Sequence, residues 1–175
     1  MKIFKYFLVL SLSLSFGNIL ADDFECKAII GDVLLSPSPG DATCPILKNK
    51  PKTFPDLIFL HELGLSNTCF VGVLEGTLGE IPITGKVFSG LTANSFEDSP
   101  FFTAASFIKI RNADNDKRIG IVATHDVIMG SGDDTKESLA MIKGTKNFNG
   151  GKGHFEIHGN VFTGASFNGT LCFED

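Results

Sequence analysis

From Asn67 onward the chain is a succession of short runs rich in Thr, Val, Ile and Phe, each closed by Gly, Asn or Asp. β-branched and aromatic residues suit a pleated, half-buried surface, and the punctuating residues are those that turns demand. No segment sustains a 3.6-residue apolar period over about twelve positions, so helices are not expected to organise the fold. Strands are predicted at Cys26 to Leu35, Cys69 to Thr77, Ile81 to Gly90, Phe101 to Arg111, Ile119 to Met129, Lys136 to Lys143, Gly153 to Gly159 and Ser166 to Phe173. The separators fit, above all the Asn112 to Lys117 turn and the glycine-rich Gly144 to Lys152 stretch. Eight antiparallel strands closing on themselves leave no sheet edge, and their interior is either filled by side chains or holds one small ligand. The expected fold is all-β, an eight-stranded antiparallel closed β-barrel formed by residues 22–175 as a single domain.

The front of the chain departs from that rhythm twice. Lys2 and Lys5 precede an apolar run from Phe7 to Phe16, and a polar-to-small stretch ends at Ala21. This is the pattern of a cleaved signal peptide over residues 1–21, because an apolar core of about ten residues is too short to cross a bilayer as a helix. The mature chain is expected to be exported, periplasmic or secreted, with no membrane span. Further on, Pro37, Pro39, Pro45, Pro51 and Pro55 crowd the stretch between Ser36 and Asp56. Such a density excludes regular sheet or helix there. Residues 36–68 therefore read as a long Pro-rich loop after the first strand, with Leu57 to Leu65 as one short element inside it. Loops of this length are uncommon in a compact domain, which marks the stretch as the best candidate for a mobile or functional loop, with a plain decorated surface loop as the competing reading.

Charge narrows the function. Lys2 and Lys5 leave with the signal segment, so residues 22–175 carry 13 basic against 20 acidic side chains, a formal net charge of −7. Arg111 and Arg118 are the only guanidinium groups, and the one basic cluster, Lys48, Lys50 and Lys52, sits in the proline-rich stretch. A nucleic-acid footprint is missing. Tyr6 belongs to the signal segment and Trp is absent, so tyrosine acid–base chemistry is excluded and stacking platforms for sugars or bases are poorly supplied. The 14 Phe that remain suit plain burial or an apolar pocket.

Four cysteines in an exported chain read as two disulfides, for which three connectivities exist. If the sheet closes, its first and last strands pair, which brings Cys26 near Cys172 and leaves Cys44 with Cys69. No C-x-x-C spacing points to a zinc or thioredoxin-type site.

The most chemically suggestive run is His154-Phe155-Glu156-Ile157-His158. Strand alternation puts both imidazoles and the carboxylate on one face, where two His and a carboxylate make an acceptable zinc set, with His125 or Asp126 as a further ligand. The competing reading is the solvated outer face of an ordinary barrel strand. His125 and Asp126 are adjacent, so they face opposite ways. Ala123, Val127 and Met129, on the His125 side, form the more apolar set, which predicts His125 inside the barrel as the catalytic candidate, an acid or base near neutral pH. No Gly-x-Ser-x-Gly nucleophile motif occurs.

The stretch Gly144-Thr145-Lys146-Asn147-Phe148-Asn149-Gly150-Gly151-Lys152-Gly153, followed by a strand and a closing Gly169-Thr170-Leu171-Cys172, resembles exported bacterial proteins with an allene oxide cyclase-like barrel. These are distantly similar to plant dirigent proteins. Gly144, Thr145, Phe148, Gly150 and Gly153 keep that family's turn pattern, while Lys146 replaces its middle Gly and Gly151 its Ala. The runs Cys26 to Gly31 and Thr124 to Val127 also look familial. The resemblance implies a calycin-type barrel that works without metal or organic cofactor, and no particular reaction. Three functions are open. The leading one is a disulfide-stabilised barrel that binds a small apolar ligand. The second is a cofactor-free isomerase or cyclase of the allene oxide cyclase or dirigent type, with His125 as a polar group in the cavity. The third is a structural or host-interaction barrel with no cavity. No cofactor is expected; the partner expected is a small apolar molecule, with no nucleic acid, and the oligomeric state is left open.

Overall fold

The computed structural model describes residues 24–38, 65–92, 101–130 and 132–174. Eight strands, β1 (Phe24–Pro37), β2 (Leu65–Leu78), β3 (Ile81–Thr92), β4 (Phe101–Asn112), β5 (Arg118–Met129), β6 (Lys136–Lys146), β7 (Lys152–His158) and β8 (Ala165–Glu174), follow one another in the chain. Each pairs antiparallel with the next, and β8 returns to β1, closing the barrel. All eight expected strands are present. β1 continues to Pro37 and β2 begins at Leu65, so both ends of the stretch read as loop belong to the sheet. Pro37 is tolerated because it ends its strand, where a missing N–H costs little. The signal segment 1–21 and residues 39–64 lie outside the described residues. Among the described residues no helix is long and apolar enough to cross a membrane.

Alternation sends Ile29, Leu74, Val87, Ile110, Val122 and Leu171, all buried, into one continuous core. The wall formed by β3, β4 and β5 is unusual, because its outer face is also buried: Phe88, Phe107 and Ala123, paired side by side across the three strands, are almost inaccessible. The ammonium groups of Lys86 and Lys109 stand 5.3 and 4.8 Å from the centre of the Phe88 ring.

The glycine signature closes one end of the barrel. In the β6–β7 turn the Phe148 N–H donates to the Thr145 carbonyl and the Gly151 N–H to the Phe148 carbonyl, while Gly150 takes a φ of +71° that side chains resist. This turn drives Phe148, fully buried, into the barrel end, where its ring meets Phe173 edge-on at 5.4 Å. Space for it exists because two neighbours lack side chains. A Cβ on Gly120 would lie 2.6 Å from the Phe148 ring, and one on Gly144 2.5 Å from the Phe148 Cβ. Phe148→Ala is expected to cost about 3–5 kcal/mol, the range for a truncated core Phe, read as a lower midpoint in urea unfolding.

The disulfide between Cys26 and Cys172 locks the seam near this same end, between residues that stand directly opposite in the β1–β8 register. Cys69 is also disulfide-bonded. Its expected partner, Cys44, lies outside the described residues.

Candidate functional site

Halfway along the barrel the packing changes. On the Phe148 side the interior is filled, leaving a void of about 30 Å³, roughly the room one water needs. At the opposite end a cavity of about 340 Å³ opens. Its walls are apolar, formed by Phe70, Leu91, Phe102, Ile128, Val161 and Phe162, and Ser89 and Glu137 border both spaces as its floor.

Local structure sets these groups. Ile128 stands opposite both Phe102 on β4 and Glu137 on β6, so all three side chains point inward. The β7–β8 turn carries Val161 and Phe162 over the rim. Asn160 Oδ1 accepts the Phe162 N–H, its carbonyl accepts the N–H groups of Thr163 and Gly164, and the Leu35 N–H donates to the Val161 carbonyl at 2.7 Å. The Phe162 ring then rests on Phe70, with centroids 5.4 Å apart.

Two carboxyl groups are buried behind this mouth. Asp126 projects inward one inner position deeper than Ile128, and Glu137 lies diagonally across from it on β6. Ser106 Oγ lies 2.5 Å from Asp126 Oδ2 and 2.9 Å from Ser89 Oγ. A hydroxyl has one proton to give. With Asp126 ionised, Ser89 donates to Ser106 and Ser106 to the carboxylate; with Asp126 protonated, the chain can run the other way. Asp126 Oδ1 and the Thr124 hydroxyl are buried without hydrogen-bond partners among the described residues.

Burial pushes Asp126 up to about 7, against the Ser106 hydroxyl and, more weakly, the nearby Thr124 hydroxyl, which favour the ionised form. Burial first, and then the Asp126 charge, push Glu137 up to about 8. No cation among the described residues pairs with either carboxyl. Two unpaired buried carboxyls cannot both ionise cheaply, so the pair retains a proton at neutral pH. The arrangement offers a protonated donor at the base of an apolar mouth, the combination that positions a small ligand or delivers a proton to it.

The sequence placed His125 in this interior, and the structure reverses that. Thr124, Asp126 and Ile128 face inward and His125 faces out. The apolar set Ala123, Val127 and Met129 misled because β5 is enclosed on both sides along part of its length, so apolar character does not mark the inner face there. Burial lowers the His125 pKa from its usual value. The titratable side chain that does border the cavity is Glu137, which the sequence reading did not single out.

His154, Glu156 and His158 do share one face, the outer one. Glu156 lies 3.4 Å from His158 Nε2 and 4.0 Å from His154 Nε2, and His154 Nε2 is 3.0 Å from the Ser138 hydroxyl. All three are about half exposed. Asp126, considered as a further ligand, points to the other side of the wall. Among the described residues no group of three or more His, Cys, Asp or Glu is arranged to hold a metal ion. Gly144, Thr145, Phe148 and Gly150 build the plug, with Thr145 Oγ1 accepting the Ile121 N–H at 3.1 Å, whereas Gly153 makes room for Leu171 on β8.

Comparison of the chain with protein-family models, with curated proteins and with solved structures finds no match.

Proposed function

We propose that this chain is an exported, disulfide-stabilised barrel that takes a small, mainly apolar molecule into its open mouth and holds the guest's one polar atom against Glu137 and Ser89. The observation that carries this reading is the cavity of about 340 Å³ with apolar walls and a carboxyl floor. A barrel built only as a structural element gains nothing from burying two unpaired acids beneath an opening. Binding of Nile red, an uncharged apolar dye, tests the proposal. The dye is expected to bind and brighten, and Phe162→Ser, at a rim residue 49% exposed and so of little weight in folding, is expected to weaken it. Removing one apolar wall contact corresponds to about a tenfold loss in affinity. No binding, or binding indifferent to Phe162, Phe102 and Leu91, would remove the reading.

The buried acid pair favours a second reading, a cofactor-free isomerase or cyclase of the allene oxide cyclase or dirigent type. Glu137 then donates a proton to, or hydrogen-bonds, the polar atom of a reactive apolar guest confined in the mouth. Turnover of a trial epoxide that Glu137→Gln abolishes while Nile red still binds separates this reading from simple binding.

A further inference from the structure

Outside the Phe148 plug, at the closed end, lies a second cavity of about 520 Å³. Lys27, Lys117, Arg118 and Lys146 line it, brought from β1, the β4–β5 turn, β5 and the end of β6. Among the described residues no acid lines it, although residues 22–175 carry a formal net charge of −7. Glu25 holds Lys27 at 2.9 Å, and Asp116 holds Arg111 at 3.0 Å. Lys117, Arg118 and Lys146 make no ion pair with any described residue.

The neutral lining is biased the same way. Asn112 Oδ1 accepts the N–H groups of Asp114 and Asn115, and Asn115 Oδ1 accepts that of Lys117. Their acceptor atoms are thus committed to the turn, which leaves the NH₂ groups as what these two asparagines can offer the cavity. Lys146 is held at a φ of +55°, a conformation that glycine adopts freely and lysine resists. The rest of the lining is Asn147 and Asn149 and an apolar bed contributed by Leu78, Ile81, Ile119 and Phe173. A cavity that presents cations and amide donors beside an apolar bed, with no acid to oppose them, matches one ligand class.

We propose that this closed-end cavity binds a small amphipathic oxyanion, a phosphate or carboxylate head gripped by Lys117, Arg118 and Lys146 with its apolar body laid over Ile81, Ile119 and Phe173. The site is independent of the mouth and of the function proposed for it. Calorimetric titration with octyl phosphate tests it, with octyl glucoside as an uncharged partner of equal chain length. Octyl phosphate is expected to bind, more weakly as salt is raised, and octyl glucoside not to displace it. Arg118→Gln with Lys146→Gly is expected to lower the affinity about tenfold or more, the scale of losing two charge-assisted contacts. Glycine suits the Lys146 backbone and Arg118 is exposed, so this variant keeps its fold, which a thermal melt verifies. The charge-matched Lys86→Gln with Lys136→Gln, and the mouth variant Phe162→Ser, are expected to bind octyl phosphate as the parent does. Equal binding of octyl glucoside, no binding of octyl phosphate, or an unchanged affinity in the Arg118, Lys146 variant each overturns the proposal. Sedimentation with vesicles containing phosphatidic acid separates the two sources of such a head group. Vesicle binding that depends on Arg118 and Lys146 identifies a lipid, and binding of octyl phosphate alone identifies a soluble metabolite.

Discussion

Between pH 5 and pH 9 the protein is expected to lose stability by about 6–7 kcal/mol, the reverse of what a chain stabilised by salt-bridged carboxylates does. The cause is the pair behind the mouth. In the unfolded chain Asp and Glu ionise near pH 4, whereas in the barrel Asp126 keeps its proton to about 7 and Glu137 to about 8. Between those limits the folded state binds more protons than the unfolded state, so every step up in pH favours unfolding. Below the unfolded values the contribution is fully present, and above about pH 8 it is gone. Urea midpoints at pH 5, 7 and 9, with the disulfides intact, measure it. Asp126→Asn with Glu137→Gln keeps the shapes and removes the charges, so this variant is expected to be flat across the range and more stable than the parent at pH 9. A parent whose midpoint climbs toward pH 8, or a double variant with the parent's slope, would show that neither acid is held protonated.

The largest covalent effect is expected at the seam. Cys26 and Cys172 are 146 residues apart in sequence and adjacent in register. In the chain-entropy account, cross-linking so long a loop disfavours the unfolded ensemble by about 5 kcal/mol. Cys26→Ala with Cys172→Ala, compared with the parent in guanidinium, is expected to show a loss of that order. The parent in reductant, with both its bridges open, is expected to lose at least as much. A loss below about 1 kcal/mol would mean that the β1–β8 hydrogen bonds and the core hold the ends together in the denatured ensemble as well.

The barrel was legible because its signals are local. Each strand carries its own β-branched run and each turn its own Gly, Asn or Asp, and once eight antiparallel strands are counted, closure follows from the cost of open edges. The pairing of Cys26 with Cys172 came with that closure. What failed was the assignment of faces on β5. Alternation says that His125 and Asp126 point apart, but choosing the inner one needs a wall that is apolar on one side only, and burial of Phe107 and Ala123 on the outer face removes that contrast.

Glu137 was missed for a different reason, since its signal was present. Along β6 it shares a parity with Leu139 and Met141, while Lys136, Ser138 and Ala140 take the other side. A lone acid on the apolar register of a strand is a buried acid unless the strand lies on the surface. The His154 to His158 run drew attention instead because it holds more heteroatoms, yet abundance on a wet face carries less chemistry than one desolvated carboxyl. The basic closed end was illegible for a third reason. Lys117, Arg118 and Lys146 belong to elements separated in the chain, and their convergence exists only after the β4–β5 and β6–β7 turns fold to the same end.

The Phe148 plug also sets how a guest of the proposed mouth would have to come and go. A tube stoppered at one end has a single doorway, so whatever enters past Phe102 and Phe162 leaves by the route it came. A second guest cannot push the first out from behind. Departure is then a unimolecular event, its rate set by the rim and the grip of the floor and independent of how much competitor waits outside. A chase experiment at two competitor concentrations would return one and the same off-rate.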